Sequence, residues 1–425
     1  MERLFFITRI RSMRHFLLSV GVAFVFFGCQ KSNEFTLERG VSLKLNNNRK
    51  DIISDLSYSL KLDIPETKSE PIQGHVRIRF NRASSENPLV IDFNTDSAHV
   101  LSVRSGKTEI PYTYTNEHML ITAEFLNEGL NEFEVEFVAG DQSLNRNDNY
   151  LYTLFVPDRA STCFPLFDQP NLKATYKVTL ITPSDWEAVS NGALVDKKVE
   201  SGKSVYQFEE TKPISSYLFA FAAGKFLKTT RQVHDRSMTM YYRETDSVKV
   251  KNNLDEVFAL HDKSITWLEE YTSIKYPFGK FDFVLIPSFQ YGGMEHPGSI
   301  FYNESSLFLD EKASVNRRMG RASLIAHETA HMWFGDLVTM DWFNDVWMKE
   351  VFANFMAAKV VQPSFPEIDH NLRFLLSHYP GAYSVDRSSG ANPILQPLEN
   401  LKNAGSLYGS IIYQKAPIVM RHLER

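Results

Sequence analysis

Cysteine is almost absent from this chain: Cys29 and Cys163 are the only two in 425 residues. That excludes a disulfide framework and the small stapled scaffolds that depend on one. A dominant charge is also missing. Forty-six lysines and arginines stand against 51 aspartates and glutamates, a net charge of -5, so electrostatics offer no reason to expect nucleic acid as a partner. Internal repeats and low-complexity segments are lacking, which leaves no sign of a solenoid or an array. Long apolar runs are lacking too, apart from Phe16 to Phe27, which is too short for a comfortable membrane span. What remains, 43% hydrophobic and 23% charged residues, is ordinary globular composition in a chain long enough for two or three cores.

The one apolar run has the setting of a targeting segment. Arg9, Arg11 and Arg14 precede it and Gly28-Cys29 close it, the layout of a secretory signal. A small residue before a cysteine resembles a bacterial lipoprotein signal. That resemblance implies lipidation of Cys29 as the first mature residue, and an exported protein held on the periplasmic face, the outer membrane or the cell surface. Phe26 and Phe27 depart from that motif, and ordinary cleavage or an uncleaved anchor is the alternative. Either Met1 or Met13 can serve as the start. Residues 1–29 are therefore expected to be a signal, and 30–50, opening with the polar Gln30-Lys31-Ser32-Asn33-Glu34, a tether.

From 51 to 227 the pattern is that of strands. Ser59 to Ile64, His75 to Phe80, Glu132 to Phe137 and Lys177 to Ile181 alternate polar and apolar side chains. Breaks fall at Pro65, Gly74, Asn127 to Gly129 and Pro183. The expectation is a β domain of antiparallel sheets. From 228 the pattern turns mainly helical, with a helix over Leu254 to Tyr271 and a buried strand over Phe281 to Ile286. Overall this is an α+β chain of two domains.

The chemistry is concentrated in HETAHMWFGDLVTMDWFNDVWMKE, residues 327–350. His327 and His331 lie four apart in a stretch free of proline and glycine, which puts both imidazoles on one helix face. Glu328 between them completes H-E-x-x-H, the pattern of a helical zinc site with its general base. Gly335 is placed to end that helix. A second helical pattern starting near Asp341 carries Glu350, and a short turn between antiparallel helices would return its carboxylate to the histidines. Two imidazoles and one carboxylate are a donor set for a catalytic zinc with an open fourth position. A chance match on a solvated helix is the alternative for the five-residue motif alone.

The spacing and the surrounding letters go further. Eighteen residues separate His331 from Glu350, and His331-x-Trp333-Phe334-Gly335-x-Leu337-Val338-Thr339 precedes Trp347-Met348-Lys349-Glu350-Val351-Phe352-Ala353. These resemble H-x-W-F-G-N-L-V-T and W-L-N-E-G-F-A of the gluzincin family of aminopeptidase N and leukotriene hydrolase. Upstream, Ala160 to Tyr176 and Pro213 to Phe226 resemble two further signatures of that family. The resemblance spans roughly residues 52–425. It implies a saddle-shaped β domain followed by a thermolysin-like, mainly helical zinc catalytic domain over 228–425, with one zinc per chain.

Site roles follow from the same resemblance. Gly292-Gly293-Met294-Glu295 matches the G-x-M-E of the family's exopeptidase motif. There the glycines admit a peptide backbone, and the glutamate, here Glu295, holds the substrate's α-ammonium. His296 stands where the motif has asparagine. A glycine-rich turn is the plain alternative. Val156 occupies a place where a second amine contact is common. Tyr413, in Tyr413-Gln414-Lys415-Ala416-Pro417, matches the tyrosine that donates to the oxyanion, against the alternative of a packing tyrosine. Tyr408 has no assigned role.

The implied activity is a zinc aminopeptidase acting on peptides with a free N-terminus, with Glu328 as base. An endopeptidase or epoxide hydrolase on the same zinc, or a peptide-binding surface lipoprotein without catalysis, are the alternatives. The substitutions at Val156, His296, Val351 and Ala416 motivate the last. The family's catalytic domain continues past the position of Arg425, so a partial catalytic domain is expected, with Ile418, Val419 and Leu423 as an apolar stripe.

Overall fold

In the computed structural model, which describes residues 37–424, the period-two patterning of the first half becomes sheets. The strand Gln73–Arg82 shows how: Val76, Ile78 and Phe80 are buried, while Arg77 and Arg79 face water. One face packs and the other is solvated. An eight-stranded sheet has Ile53–Asp63 at its centre, between Gln73–Arg82 and Thr175–Pro183. Smaller sheets of four and three strands complete this region. Cys29 and the signal lie outside the described residues. Among the described residues, no helix is long and apolar enough to cross a membrane.

Two expectations are corrected here. Pairing is not antiparallel throughout: Ile53–Asp63 runs parallel to Thr175–Pro183, with Leu60 opposite Val178. Parallel neighbours need a long connection, and the chain between these strands supplies it. Nor does a tether extend to residue 50. Helix α1 (Leu43–Ile52) starts at Ser42, whose side chain accepts from the Leu45 amide, and it buries Leu45, Asn46 and Arg49. Its inward face carries Arg49 in place of a third apolar residue, so LKLNNNRKDI shows no apolar periodicity to read.

The second half is built on a five-stranded sheet in the order Leu227–Val233, Arg236–Tyr242, Asp282–Ile286, Ser299–Asn303, Gly293–Met294. Helix α2 (Ser247–Thr272) is capped by Asp246, which accepts from the Val248 and Lys249 amides. The short α3 (Glu304–Leu307) leads to α4 (Val315–His331), α5 (Val346–Val361), α6 (His370–Asp386) and α7 (Ala416–Glu424). Phe258 and Ile265 of α2, Phe283 and Ile300 of the sheet, Ile325 of α4 and Met356 of α5 share one core. The architecture is thus an N-terminal β region followed by a mainly helical one. On α7, Val419 and Leu423 are exposed.

The link between α4 and α5 differs from the expected short turn. Helix α4 stops at His331, before Gly335, and the amides of Asp336 and Leu337 reach back to the carbonyls of His331 and Met332. Gly335, at φ +145, sits outside the left-handed helical cap geometry. Trp333 turns inward, and its indole donates to the Ile274 carbonyl. Tertiary contacts therefore end the helix a turn early. A longer link follows, and α5 begins at Val346 after the 3-10 turn Phe343–Asp345. The β region braces this link: Lys173 donates to the carbonyls of Asp336 and Leu337, and the Tyr217 ring meets Phe343 edge-on at 5.4 Å.

Candidate active site

On α4, His327 and His331 stand one turn apart and point their Nε2 atoms at each other, 3.1 Å apart. Helix α5 brings Glu350 Oε2 to 3.7 Å from His327 Nε2 and 3.8 Å from His331 Nε2. Donor atoms around a zinc at about 2 Å in a tetrahedral site lie about 3.3 Å apart, so the three atoms nearly have the needed separation. The ring of His331 is oriented by its other nitrogen, Nδ1, which lies 3.1 Å from the Phe334 carbonyl. Donation there leaves the Nε2 lone pair for a metal. Burial brings the His331 pKa down to about 4, which keeps the ring neutral. At His327 burial acts the same way, but the facing carboxylates of Glu350 and Glu328 turn the net shift upward. Two buried imidazoles with facing Nε2 atoms, beside carboxylates, form a donor set that a divalent cation would satisfy, and the residues fit zinc. A second grouping, Glu295, Glu328 and His331, also brings donor atoms close. There a lysine ammonium already bonds Glu295, so the first grouping is the metal centre.

Glu328 is buried against the edge strand Gly293–Met294. A Cβ on Gly293 would come 2.5 Å from Glu328 Oε1, so the missing side chain is what makes room for this carboxylate. Burial pushes the Glu328 pKa upward, with His327 acting against the shift. Gly292 faces Leu324 of α4, and Met294 is buried. His296 is buried beside the Phe301 ring at 4.6 Å, with no hydrogen-bond partner at either ring nitrogen. Burial lowers its pKa to about 3, so it contributes no charge.

Glu295 is where the structure adds most. Its Oε1 accepts from Lys349 Nζ at 2.5 Å, and the same ammonium lies 2.8 Å from Glu350 Oε1. All three side chains are buried. Burial would raise the Glu295 pKa, but the charges of Lys349 and His331 outweigh it and hold the carboxyl below its usual range. Burial would likewise lower the Lys349 pKa, and Glu295 and Glu350 reverse that. The Tyr217 ring supports the ammonium at 5.5 Å.

Tyr413 lies in a π-helical turn, Ile411–Lys415, just before α7, and its carbonyl faces His378 Nδ1 at 3.1 Å. Burial raises the hydroxyl's pKa, and the charge of Glu350 adds to the shift. The hydroxyl thus stays protonated within reach of the metal-site charges. Tyr408 also feels the charges of Lys349 and Glu350, and its buried hydroxyl has no partner.

Lys349, Tyr217 and Asp336, whose two buried carboxyl oxygens lack partners, were not singled out by sequence reasoning. Only Lys349 left a trace there, as the cationic letter directly before the ligand Glu350.

Similarity to known proteins agrees with this site. The Peptidase M1 N-terminal domain matches residues 54–218 and the Peptidase family M1 domain matches 257–425. The chain belongs to peptidase family M1. It is 30% identical over 381 residues to Probable aminopeptidase 2 of Sulfurisphaera tokodaii, a match covering 88% of this chain and 47% of that protein. It is 34% identical over 279 residues to Aminopeptidase M1-A of Oryza sativa subsp. japonica, covering 65% of this chain and 31% of that protein. It is also 34% identical over 276 residues to Endoplasmic reticulum aminopeptidase 1 of Mus musculus, covering 64% of this chain and 29% of that protein. The chain thus spans less than half the length of each of these curated relatives.

Proposed function

We propose that this chain is a zinc-dependent aminopeptidase that removes the N-terminal residue of peptides. The observation carrying the reading is the convergence of His327 Nε2, His331 Nε2 and Glu350 Oε2 within 3.1–3.8 Å, with Glu328 buried on the same helix beside a glycine strand. A zinc held by those three residues supplies, when bound, a Lewis acid that polarises the scissile carbonyl and acidifies water. Glu328 takes a proton from the attacking water and delivers it to the leaving amine. The Tyr413 hydroxyl donates to the carbonyl oxygen as negative charge builds there. The Gly292-Gly293-Met294 backbone lets the substrate main chain lie close, and Glu295 faces its N-terminal end.

Release of a chromophore from amino-acid anilides, with metal analysis of the same sample, tests the reading. Activity should track zinc, vanish on chelation, and spare N-acetylated peptides. Equal cleavage of acetylated and free peptides would remove the aminopeptidase reading. The N-terminal pattern supports a lipid anchor at Cys29 as part of this proposal. Cys29→Ser should then move the protein from the membrane fraction to the soluble fraction.

A further inference from the structure

Lys349 does something in this site that neither metal binding nor proton transfer requires. Its ammonium is clamped between Glu295 Oε1 at 2.5 Å and Glu350 Oε1 at 2.8 Å, over the Tyr217 ring at 5.5 Å. Its side chain is only 4% exposed. A cation so held has no open path by which to swing into solvent, and leaving would strand two buried carboxylates. Under the reading above, Glu295 is the group that meets the substrate's α-ammonium. Here an ammonium of the protein itself already bonds to it.

We propose that Lys349 is a specificity-determining residue: it acts as a tethered counter-ion on Glu295, and a substrate's α-ammonium binds only in competition with it. The proposal rests on Glu295 being the amine-facing group. Charge counting supports it. The two charges of a bound zinc are matched by Glu350 and Glu328, and Glu295 is matched by Lys349. No uncompensated negative charge is left in this set for an incoming ammonium, which would instead meet a like charge at close range. Val156, at the place where a second amine contact is common, is a buried aliphatic side chain and restores nothing. The site therefore takes peptides whose affinity comes from backbone and side-chain contacts, with little contribution from the free N-terminus.

The test compares leucinamide with N-acetyl-leucinamide by calorimetric titration of the full chain, both metal-free and zinc-loaded. In the parent protein the two ligands should bind within about threefold of each other. Lys349→Met should bind leucinamide at least tenfold more tightly than its acetylated form, and the double variant Lys349→Met/Glu295→Gln should lose that preference. A purely structural lysine would not change the ratio. Should Lys349→Met fail to fold, Glu295→Gln decides alone. It should alter leucinamide binding by less than threefold, because the carboxylate is already engaged, and a loss of tenfold or more would overturn the proposal. A parent protein that already favours leucinamide tenfold, with no gain in Lys349→Met, would overturn it while leaving Glu295 as the anchor. If Lys349→Met shows no preference either, Glu295 does not meet the ammonium, and the aminopeptidase reading falls with the proposal.

Discussion

The β region and the catalytic region each bury a cluster of charges, and the two clusters are finished differently. In the β region Arg49 Nη2 and Nη1 bond Asp92 Oδ1 at 2.5 Å and Oδ2 at 2.8 Å, and His118 Nδ1 lies 2.7 Å from Oδ1. The Asp168 amide adds a bond to Oδ2, and His118 Nε2 faces the Glu38 carbonyl. Both carboxylate oxygens and both ring nitrogens are used. At the active site His327 Nδ1, both oxygens of Asp336 and the hydroxyl of Tyr408 are buried without partners. A polar network closed on itself holds a fold. One left open is prepared for something that the chain alone does not supply.

The comparison can be broken from either side. The largest effect is expected at Glu328→Gln, which removes a proton acceptor and keeps the shape. Turnover should fall by about 10²–10⁴-fold while bound zinc and melting temperature stay put, as anilide assays, metal analysis and thermal melts would report. Near-normal turnover would dismiss Glu328 as the base.

Arg49→Met attacks the closed cluster. It strands the Asp92 carboxylate in the interior, a change that typically costs about 3–5 kcal/mol. The urea midpoint should drop accordingly, and the fraction that stays folded should bind zinc normally. A loss of zinc with unchanged stability would reverse the roles assigned to the two clusters.

Gly293→Ala sharpens the contrast by crowding the open one. A Cβ 2.5 Å from Glu328 Oε1 must displace that carboxylate, so turnover should fall by about ten- to a hundredfold with little change in melting temperature. An unchanged rate would mean that the base tolerates misplacement.

The smallest effect concerns acid. Burial would raise the Asp92 pKa, but Arg49 and His118 more than reverse it, so the folded carboxyl titrates below its usual range. Stability from this group is therefore fully present above about pH 4 and is lost as the pH falls toward the depressed folded value. Asp92→Asn removes that dependence. The stability gap between parent and variant should narrow by about 1–2 kcal/mol as the pH drops below 4. A gap that widens in acid would contradict the depressed pKa.

Much of the site could be read from sequence because its parts are local. His327, Glu328 and His331 share one helix turn, and helical periodicity alone sets their relative directions. Glu350 could be reached because its helix is continuous with the motif that follows the histidines. Strands such as Gln73–Arg82 could be read because alternation is imposed by the pleat itself. Other features could not be read. The parallel pairing of Ile53–Asp63 with Thr175–Pro183 joins distant segments and leaves no trace in either one's pattern. Helix α1 escaped notice because its buried face centres on Arg49, whose partner Asp92 is 43 residues away.

The end of α4 and the state of Glu295 were decided only in three dimensions. Local propensity favoured continuing the helix to Gly335. The Trp333 indole found the Ile274 carbonyl, the Phe334 carbonyl met the His331 ring, and the helix stopped at His331. Likewise the amino-acid order makes Glu295 a free carboxylate beside two glycines and Lys349 an ordinary helical lysine. They become a buried ion pair because an edge strand and the start of α5, 54 residues apart, pack around the same metal centre. Once water is excluded, each charge has only the other to replace its lost solvation. That pairing is a property of packing, and no local pattern in the sequence encodes it.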